Sequence, residues 1–493
     1  MLNNVLGIDF QNTFARDLEG LYKKGNSCKC PSAEVLLLNK SLSLELGIDL
    51  NRLQSKNALD IFSGNIKPEN SITLAQAYSG HQFGQFNPNL GDGRALLIGE
   101  AINQKGKLID IQLKGAGQTP YSRRGDGKSA LGPVLREYLI SESMHVLGIP
   151  TTRALAAIKT GDQVERDGLL PGGIMTRIAS SHIRIGTFEY ARFHKDNQLI
   201  KKLTDYSIAR HFPDTANVEN PYLAFFAAVC NQQALLIANW MSVGFIHGVM
   251  NTDNMTISGE TIDFGPCAFM DSYDPSTVFS SIDVNKRYAY ANQPAILTWN
   301  LTRLAETLIP LIHKDKNESI KLLTEVLQLI KPVYTNYWLS IMRSKIGLSK
   351  EDQNDIEIIS NFLEIMEEEK ADFTLCFRSL SKALIGDGQT IRALFNNSRR
   401  FDGWMMIWQE RISQEGIAEE KIAASMNKVN PIYIPRNHKV EEALHEAVFK
   451  NNMLPFNKLH SLLQNPFEEI DGFESFKEPA PKSDIPYKTF CGT

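Results

Sequence analysis

The chain has 493 residues, 43% of them hydrophobic and 22% charged, with 52 basic and 56 acidic side chains giving a net charge of −4. That length suits roughly two to four domains of an ordinary globular protein. The balance leaves no basic excess for neutralising a nucleic-acid backbone, so nucleic acid is not an expected partner. Six cysteines are scattered at positions 28, 30, 230, 267, 376 and 491. A core of this size needs no disulfide framework, and Cys28-Lys-Cys30 has no second close pair with which to make a metal site. The first residues, MLNNVLGIDFQNTFARDLEG, have neither a signal-peptide nor a transit-peptide pattern, which makes a cytoplasmic location the expectation.

In chain order, residues 1–90 read as short helical patterns and loops. Strand signals begin at RALLIGEAI (94–102) and KLIDIQLKG (107–115), on either side of a turn-like NQKGK. A loop dense in glycine and charge follows (115–133). Then comes VLREYLISESMHVLG (134–148), a helical pattern ended by Gly148. Short strands are expected over 152–190. From Asn220 to Thr252 there is no Lys, Arg, Asp or Glu, which raises the question of a membrane span. Asn231, Gln232, Gln233 and Asn239 interrupt the best window, so a buried core helix is expected and a membrane partner is not. Helices are expected at 222–243, 295–313, 317–345, 351–368, 419–428 and 439–450. The tail from about 466 is expected to run as an extended arm. The pattern is that of an α+β protein with a mixed α/β amino-terminal lobe and a mostly helical carboxy-terminal lobe.

Several pieces carry chemistry. Asn254 and Asp263 flank MTISGETI, a small hairpin with Gly259 at its turn, which brings the two side chains together. A carboxylate and an amide oxygen, completed by phosphate oxygens and water, suit Mg²⁺; the plain alternative is a turn capping its own backbone. The stretch begins HGV, so Val249 occupies the slot where kinase-type loops carry their catalytic Asp, while Asp253 stands next to Asn254 and can accept a proton. His247 either orients the loop or packs in the core. Upstream, Gly91 and Gly93 precede a strand, Lys114 lies in an apolar strand, and Glu137 lies on the next helix. A Lys on a strand and a Glu on a helix form the pair with which kinases hold phosphates. Arg123, Arg124 and Lys128 surround GDG (125–127), and Arg177 and Arg184 add two guanidinium forks suited to polyphosphate, although each alone reads as a surface charge.

These motifs resemble the selenoprotein O family, known in bacteria as YdiU. The resemblance covers nearly the whole chain and includes YSGHQFGQFNPNLGDGRA (78–95), IQLKGAGQTPYSRRGDGKSALGPVLREYL (111–139), HGVMNTDNMTISGETIDFGP (247–266) and NPIYIPRNH (430–438). It implies a protein-kinase-like bilobal fold of the pseudokinase type. The expected divisions are an N-terminal extension (1–90), a kinase-like N-lobe (91–220), a helical C-lobe with the catalytic loop (221–465) and an extended tail (466–493). It also implies protein adenylyltransferase activity. ATP is bound flipped relative to ordinary kinases, and AMP passes to Ser, Thr or Tyr hydroxyls of proteins with release of pyrophosphate. By motif, Gly91, Gly93, Arg94, Lys114, Asp126, Gly127, Arg177, Arg184 and Asp263 hold the nucleotide. Glu137 pairs with Lys114, Asp253 is the base, and Asn254 and Asp263 bind Mg²⁺ or Mn²⁺. The implied partners are ATP and client proteins, and the chain is expected to act as a monomer.

One departure concerns redox chemistry. Relatives carry a Cys after the Asp-Phe-Gly that pairs with a carboxy-terminal Cys or selenocysteine. Here that segment has Ser280 and Ser281, and the Cys near the carboxy-terminus is Cys491, leaving Cys267 as a conceivable partner. Two other readings stay open at this stage. One is an orthodox phosphotransferase, against which Val249 counts. The other is a non-catalytic nucleotide-binding scaffold, which has no need of Asp253.

Overall fold

The run Leu108–Lys114 is apolar at first sight but alternates with the period of a strand. Ile109, Ile111 and Leu113 are buried in a hydrophobic cluster formed with the helical segment 40–62. Asp110, Gln112 and Lys114 therefore face the other way, toward the interior of the molecule. The structure, a computed structural model, describes residues 5–481 and 487–490. Within it this strand is central to an eight-stranded antiparallel sheet. The spatial order is Tyr22–Lys24, Leu74–Gln76, Ala95–Ile102, Leu108–Lys114, Gly168–Ala179, Arg153–Arg166 and Glu34–Leu38, with the two-residue Ser129–Ala130 also paired to Gly168–Ala179. Arg177 lies opposite Gln112, and both Met175 and Ala95 lie opposite Lys114.

Two expectations are corrected here. The first ninety residues supply three strands of the main sheet rather than only short helices and loops. Their runs of three to five residues are too short for a periodicity to register. Over 152–190 the structure has two long strands of 14 and 12 residues instead of several short ones, followed by the helix Ile185–Phe193. Gly161, Gly168 and Pro171 read as breaks, yet a register shift at Pro171/Gly173 lets the ladder continue through them.

The helix Leu131–Val146 lies across the strands Arg153–Arg166 and Gly168–Ala179 and buries Val134, Leu135, Tyr138 and Leu139. It begins earlier than its apolar pattern because Pro133, in the first turn, removes no intrahelical hydrogen bond. The rest is mostly helical. Pro221–Ser242, capped by the Asn220 side chain, packs against Gln293–Ile312 and Lys316–Lys345. It is long and apolar enough by composition to cross a membrane. Its buried residues, Phe225, Phe226, Val229, Leu236, Ile237 and Trp240 among them, instead belong to the main hydrophobic cluster.

The expected helices at 351–368, 419–428 and 439–450 appear as Asp355–Glu369, Glu419–Val429 and Asn437–Phe449. Helices at Asn197–His211, Phe373–Leu384, Ser398–Ser413 and Leu454–Leu463 were not anticipated. In Ser398–Ser413, Gly403 and the charged residues mask the buried ridge of Trp404 and Trp408, whose rings stack 5.6 Å apart. In the tail, Thr489 pairs with Ser280 and its hydroxyl donates to the Pro266 carbonyl at 2.6 Å. Cys491 and the bridge implied for it lie outside the described residues; Cys267 is buried.

Candidate active site

Between the sheet and the helical region lies a cleft of about 1650 Å³. Its walls are the Gly91–Ala95 turn, Lys114, the loop 121–129, Glu137, Arg177, Arg184, Asp253, Asn254 and Asp263. Strand alternation supplies Lys114, and its neighbours hold it. Lys114 Nζ lies 2.6 Å from Glu137 Oε2 and 2.5 Å from Asp263 Oδ1. Arg177, fully buried, reaches Asp263 Oδ1 at 2.7 Å and Glu137 Oε1 at 3.2 Å, and Gln112 Oε1 accepts from its Nη2 at 2.6 Å. Two cations thus balance two carboxylates in a region of low dielectric, where any one of them alone would be strongly penalised. Burial opposes ionisation of Asp263, but Lys114, Arg177 and Arg184 outweigh it and hold its carboxyl well below the usual carboxylate range. Asp263 also has φ of +63°, a left-handed conformation uncommon outside glycine and a marker of functional constraint.

The hairpin between Asn254 and Asp263 forms through a Met255–Thr261 bridge. His247 is buried, stacks 5.3 Å from Trp240, and bonds the Ile262 carbonyl at 2.9 Å, so it braces the residue before Asp263. Asn254 Nδ2 donates to Val249 O at 3.0 Å, which fixes the amide and turns its oxygen the other way. Val249 therefore supports the loop through its backbone. Asp253 is buried, and one carboxylate oxygen, Oδ1, has no hydrogen-bond partner. Burial, partly offset by Arg184, pushes its carboxyl up to about 7.

Polar atoms left without partners suit a polyanion. Arg94 Nη1 and Arg184 Nε are buried donors with no acceptor. Arg184 lies over the Tyr78 ring at 4.3 Å, with Asp92 3.5 Å from its Nη2. Gly127 has φ of +65°, and a Cβ there would sit 2.1 Å from the Gly117 carbonyl oxygen, so the loop closes only with glycine. Asp126 is held by Arg166 at 3.0 and 3.1 Å, and Lys128 by Asp162 at 2.9 Å; Arg123 and Arg124 are exposed on the rim. Among the described residues no three His, Cys, Asp or Glu side chains cluster as a complete metal site. The amide oxygen of Asn254 and the carboxylate of Asp263 fit a hard divalent cation whose remaining ligands are phosphate and water oxygens.

Gln82, Asp92, Gln112 and Tyr78 line or brace the cleft but were missed as site residues. Alternation within LIDIQLKG would have placed Gln112 beside Lys114. Tyr78 and Asp92 sit in loops and Gln82 at the end of a three-residue strand, and all three acquire meaning only from contacts distant in the chain.

Residues 4–464 match the family model described as Protein adenylyltransferase SelO. The chain is 51% identical over 486 residues to a protein nucleotidyltransferase YdiU of Cereibacter sphaeroides, covering 98% of this chain and 99% of that one. It is 52% identical over 462 residues to a YdiU of Rhizobium johnstonii, covering 93% and 92%, and 49% identical over 484 residues to one of Maridesulfovibrio salexigens, covering 98% of each. With the cleft, its charge cluster and these matches in agreement, the chain belongs to the SelO family of protein adenylyltransferases.

Proposed function

We propose that this chain transfers AMP from ATP to a Ser, Thr or Tyr hydroxyl of a client protein, releasing pyrophosphate, and that it does so in the cytoplasm as a monomer. The observation that carries this reading is Asp253, a buried carboxylate that lines the same cleft as the Lys114–Glu137–Arg177–Asp263 cluster. The architecture we assign is bilobal and kinase-like. The N-lobe (91–220), with the 1–90 extension packed on it, carries the Lys–Glu pair, the C-lobe (221–465) carries the catalytic loop, and the tail (466–493) lies along the surface.

In this reading Gly91, Gly93, Arg94, Asp126, Gly127, Arg177 and Arg184 surround the nucleotide together with Lys114, the cationic side chains neutralising charge that the interior would otherwise penalise. ATP lies flipped, so its α-phosphorus faces the acceptor. Asn254 and Asp263 would hold Mg²⁺ or Mn²⁺, which when bound offsets charge on the phosphate oxygens. Asp253 takes the hydroxyl proton as the acceptor oxygen bonds to the α-phosphorus, the bond to the bridging oxygen breaks, and pyrophosphate leaves with that electron pair. Glu137 keeps Lys114 extended through their ion pair.

Asp253→Ala is expected to lower the transfer rate about 10²–10⁴-fold while ATP still binds. The test follows adenylyl adducts on heat-inactivated total bacterial protein by mass spectrometry. An unchanged rate rejects the base role, and phosphate adducts in their place reject AMP transfer.

A further inference from the structure

The segment before the first glycine turn docks on the catalytic loop residue by residue. The backbone N–H of His81 donates to Thr252 Oγ1 at 2.7 Å, the side-chain amide of Gln82 donates to Asp253 Oδ2 at 3.3 Å, and the backbone N–H of Phe83 donates to Asn251 Oδ1 at 3.0 Å. Tyr288 also donates to Asn251 Oδ1, at 2.7 Å, and Glu189 joins His81 to Thr252. Three consecutive residues therefore grip three consecutive residues far away in the chain.

The grip requires a two-residue hairpin, Gly80–Gln82 to Gln85–Asn87, with left-handed φ at both turn residues, +51° at Phe83 and +84° at Gly84. An aromatic residue is strained there, and the bond from its N–H to Asn251 is what the conformation supplies. Gly80 completes the fit. A Cβ at Gly80 would stand 2.6 Å from Asp253 Oδ1, so that oxygen is sealed against the glycine with no partner. The oxygen left on the cleft side is Oδ2, and Gln82 is the side chain that holds it.

We propose that Gln82 is a positioning residue, which acts through Asp253 by fixing Oδ2 as the oxygen that receives the acceptor proton. This rests on the assignment of Asp253 as base. A carboxamide suits the task because it can donate to the carboxylate and, after a half-turn, accept from the protonated acid. Its side chain bonds Asp253 and is assigned no part in holding the nucleotide, so its loss should appear in turnover rather than in ATP affinity.

The test measures initial AMP transfer from α-labelled ATP to heat-inactivated total bacterial protein, with the ATP KM, for wild type, Gln82→Met, Gln82→Glu, Asp253→Ala and the double variant Gln82→Met/Asp253→Ala. Gln82→Met keeps the volume and removes the donor. It is expected to lose about tenfold or more in rate with the ATP KM within about twofold. Gln82→Glu, which sets a carboxylate against Asp253, should lose at least as much. In the Asp253→Ala background the Gln82→Met change should have no further effect, because the group it acts through is gone. Wild-type turnover in both Gln82 variants overturns the proposal, as does an equal loss with and without Asp253, or a loss confined to KM. Full activity in Asp253→Ala overturns the base assignment itself and is read separately. Should Gln82→Met fold poorly, Gln82→Glu with its own double variant gives the same comparison.

Discussion

Arg177 is buried with both Glu137 and Asp263 on its guanidinium, and among the described residues Lys114 is the only other cation bonded to that pair of carboxylates. The pairing is worth little as a source of stability, since desolvation of four charges cancels most of the attraction. Breaking it is another matter. Arg177→Met leaves two buried carboxylates sharing one ammonium, and it is expected to cost about 3–5 kcal/mol in a urea denaturation curve, with a lower midpoint and unchanged slope. An unchanged midpoint would mean that the carboxylates find water or another cation. Lys114, Glu137 and Asp263 were legible in the sequence because charged residues in apolar runs are costly and stand out. Gln82 and Asp92 were not, because a neutral amide or an acid in a polar loop carries no such signal. The Gln82–Asp253 contact spans 171 residues of chain, which no local pattern encodes.

At the scale of elements, the strand Leu108–Lys114 is tied to the helix Asn197–His211 through one buried acid. Asp110 accepts from His182 Nδ1 and from the His182 backbone at 2.9 Å, and from Arg210 at 2.6 Å. Burial pushes His182 down to about 4, against an ordinary 6.5. The same burial opposes ionisation of Asp110, but Arg210 and His182 prevail and bring it to about 2. Both folded values lie below the unfolded ones, so in both cases the unfolded chain binds protons more readily. The His182 contribution is full above about pH 6.5 and is lost as pH falls toward 4, at about 1.4 kcal/mol per pH unit; the Asp110 contribution is lost below about pH 4, toward pH 2. Urea midpoints from pH 8 to 4 should fall below pH 6.5, and His182→Gln should flatten that limb. An equal slope in the variant would remove His182 from the account. In the glycine loop, Gly127→Ala places a Cβ on the Gly117 carbonyl, so ATP affinity measured by calorimetry should drop while the melting temperature moves little. Wild-type affinity would place the nucleotide away from this loop. The strong periodic helices were readable to within a few residues. The long strands through Gly161, Gly168 and Pro171 were not, because turn-forming residues outweigh the alternation and the register shift that accommodates them leaves no local pattern.

Across the whole molecule, the site is assembled from pieces that the chain keeps far apart. Lys114 and Asp263 are separated by 149 residues and meet at 2.5 Å. The sheet contributes cations on one face, the helix Leu131–Val146 contributes Glu137, and the hairpin after Pro221–Ser242 contributes Asn254 and Asp263. The arrangement gives Val249 a part without an acid, since its backbone carbonyl fixes Asn254, and the proposed proton acceptor is the adjacent Asp253. The central claim is that the group transferred is AMP rather than phosphate. Parallel incubation with α-labelled and γ-labelled ATP, Mg²⁺ or Mn²⁺ and heat-inactivated total bacterial protein tests it most directly. The account predicts protein-bound label from the α position only, lost in Asp253→Ala. Label from the γ position, or none from either while ATP is bound, would contradict it.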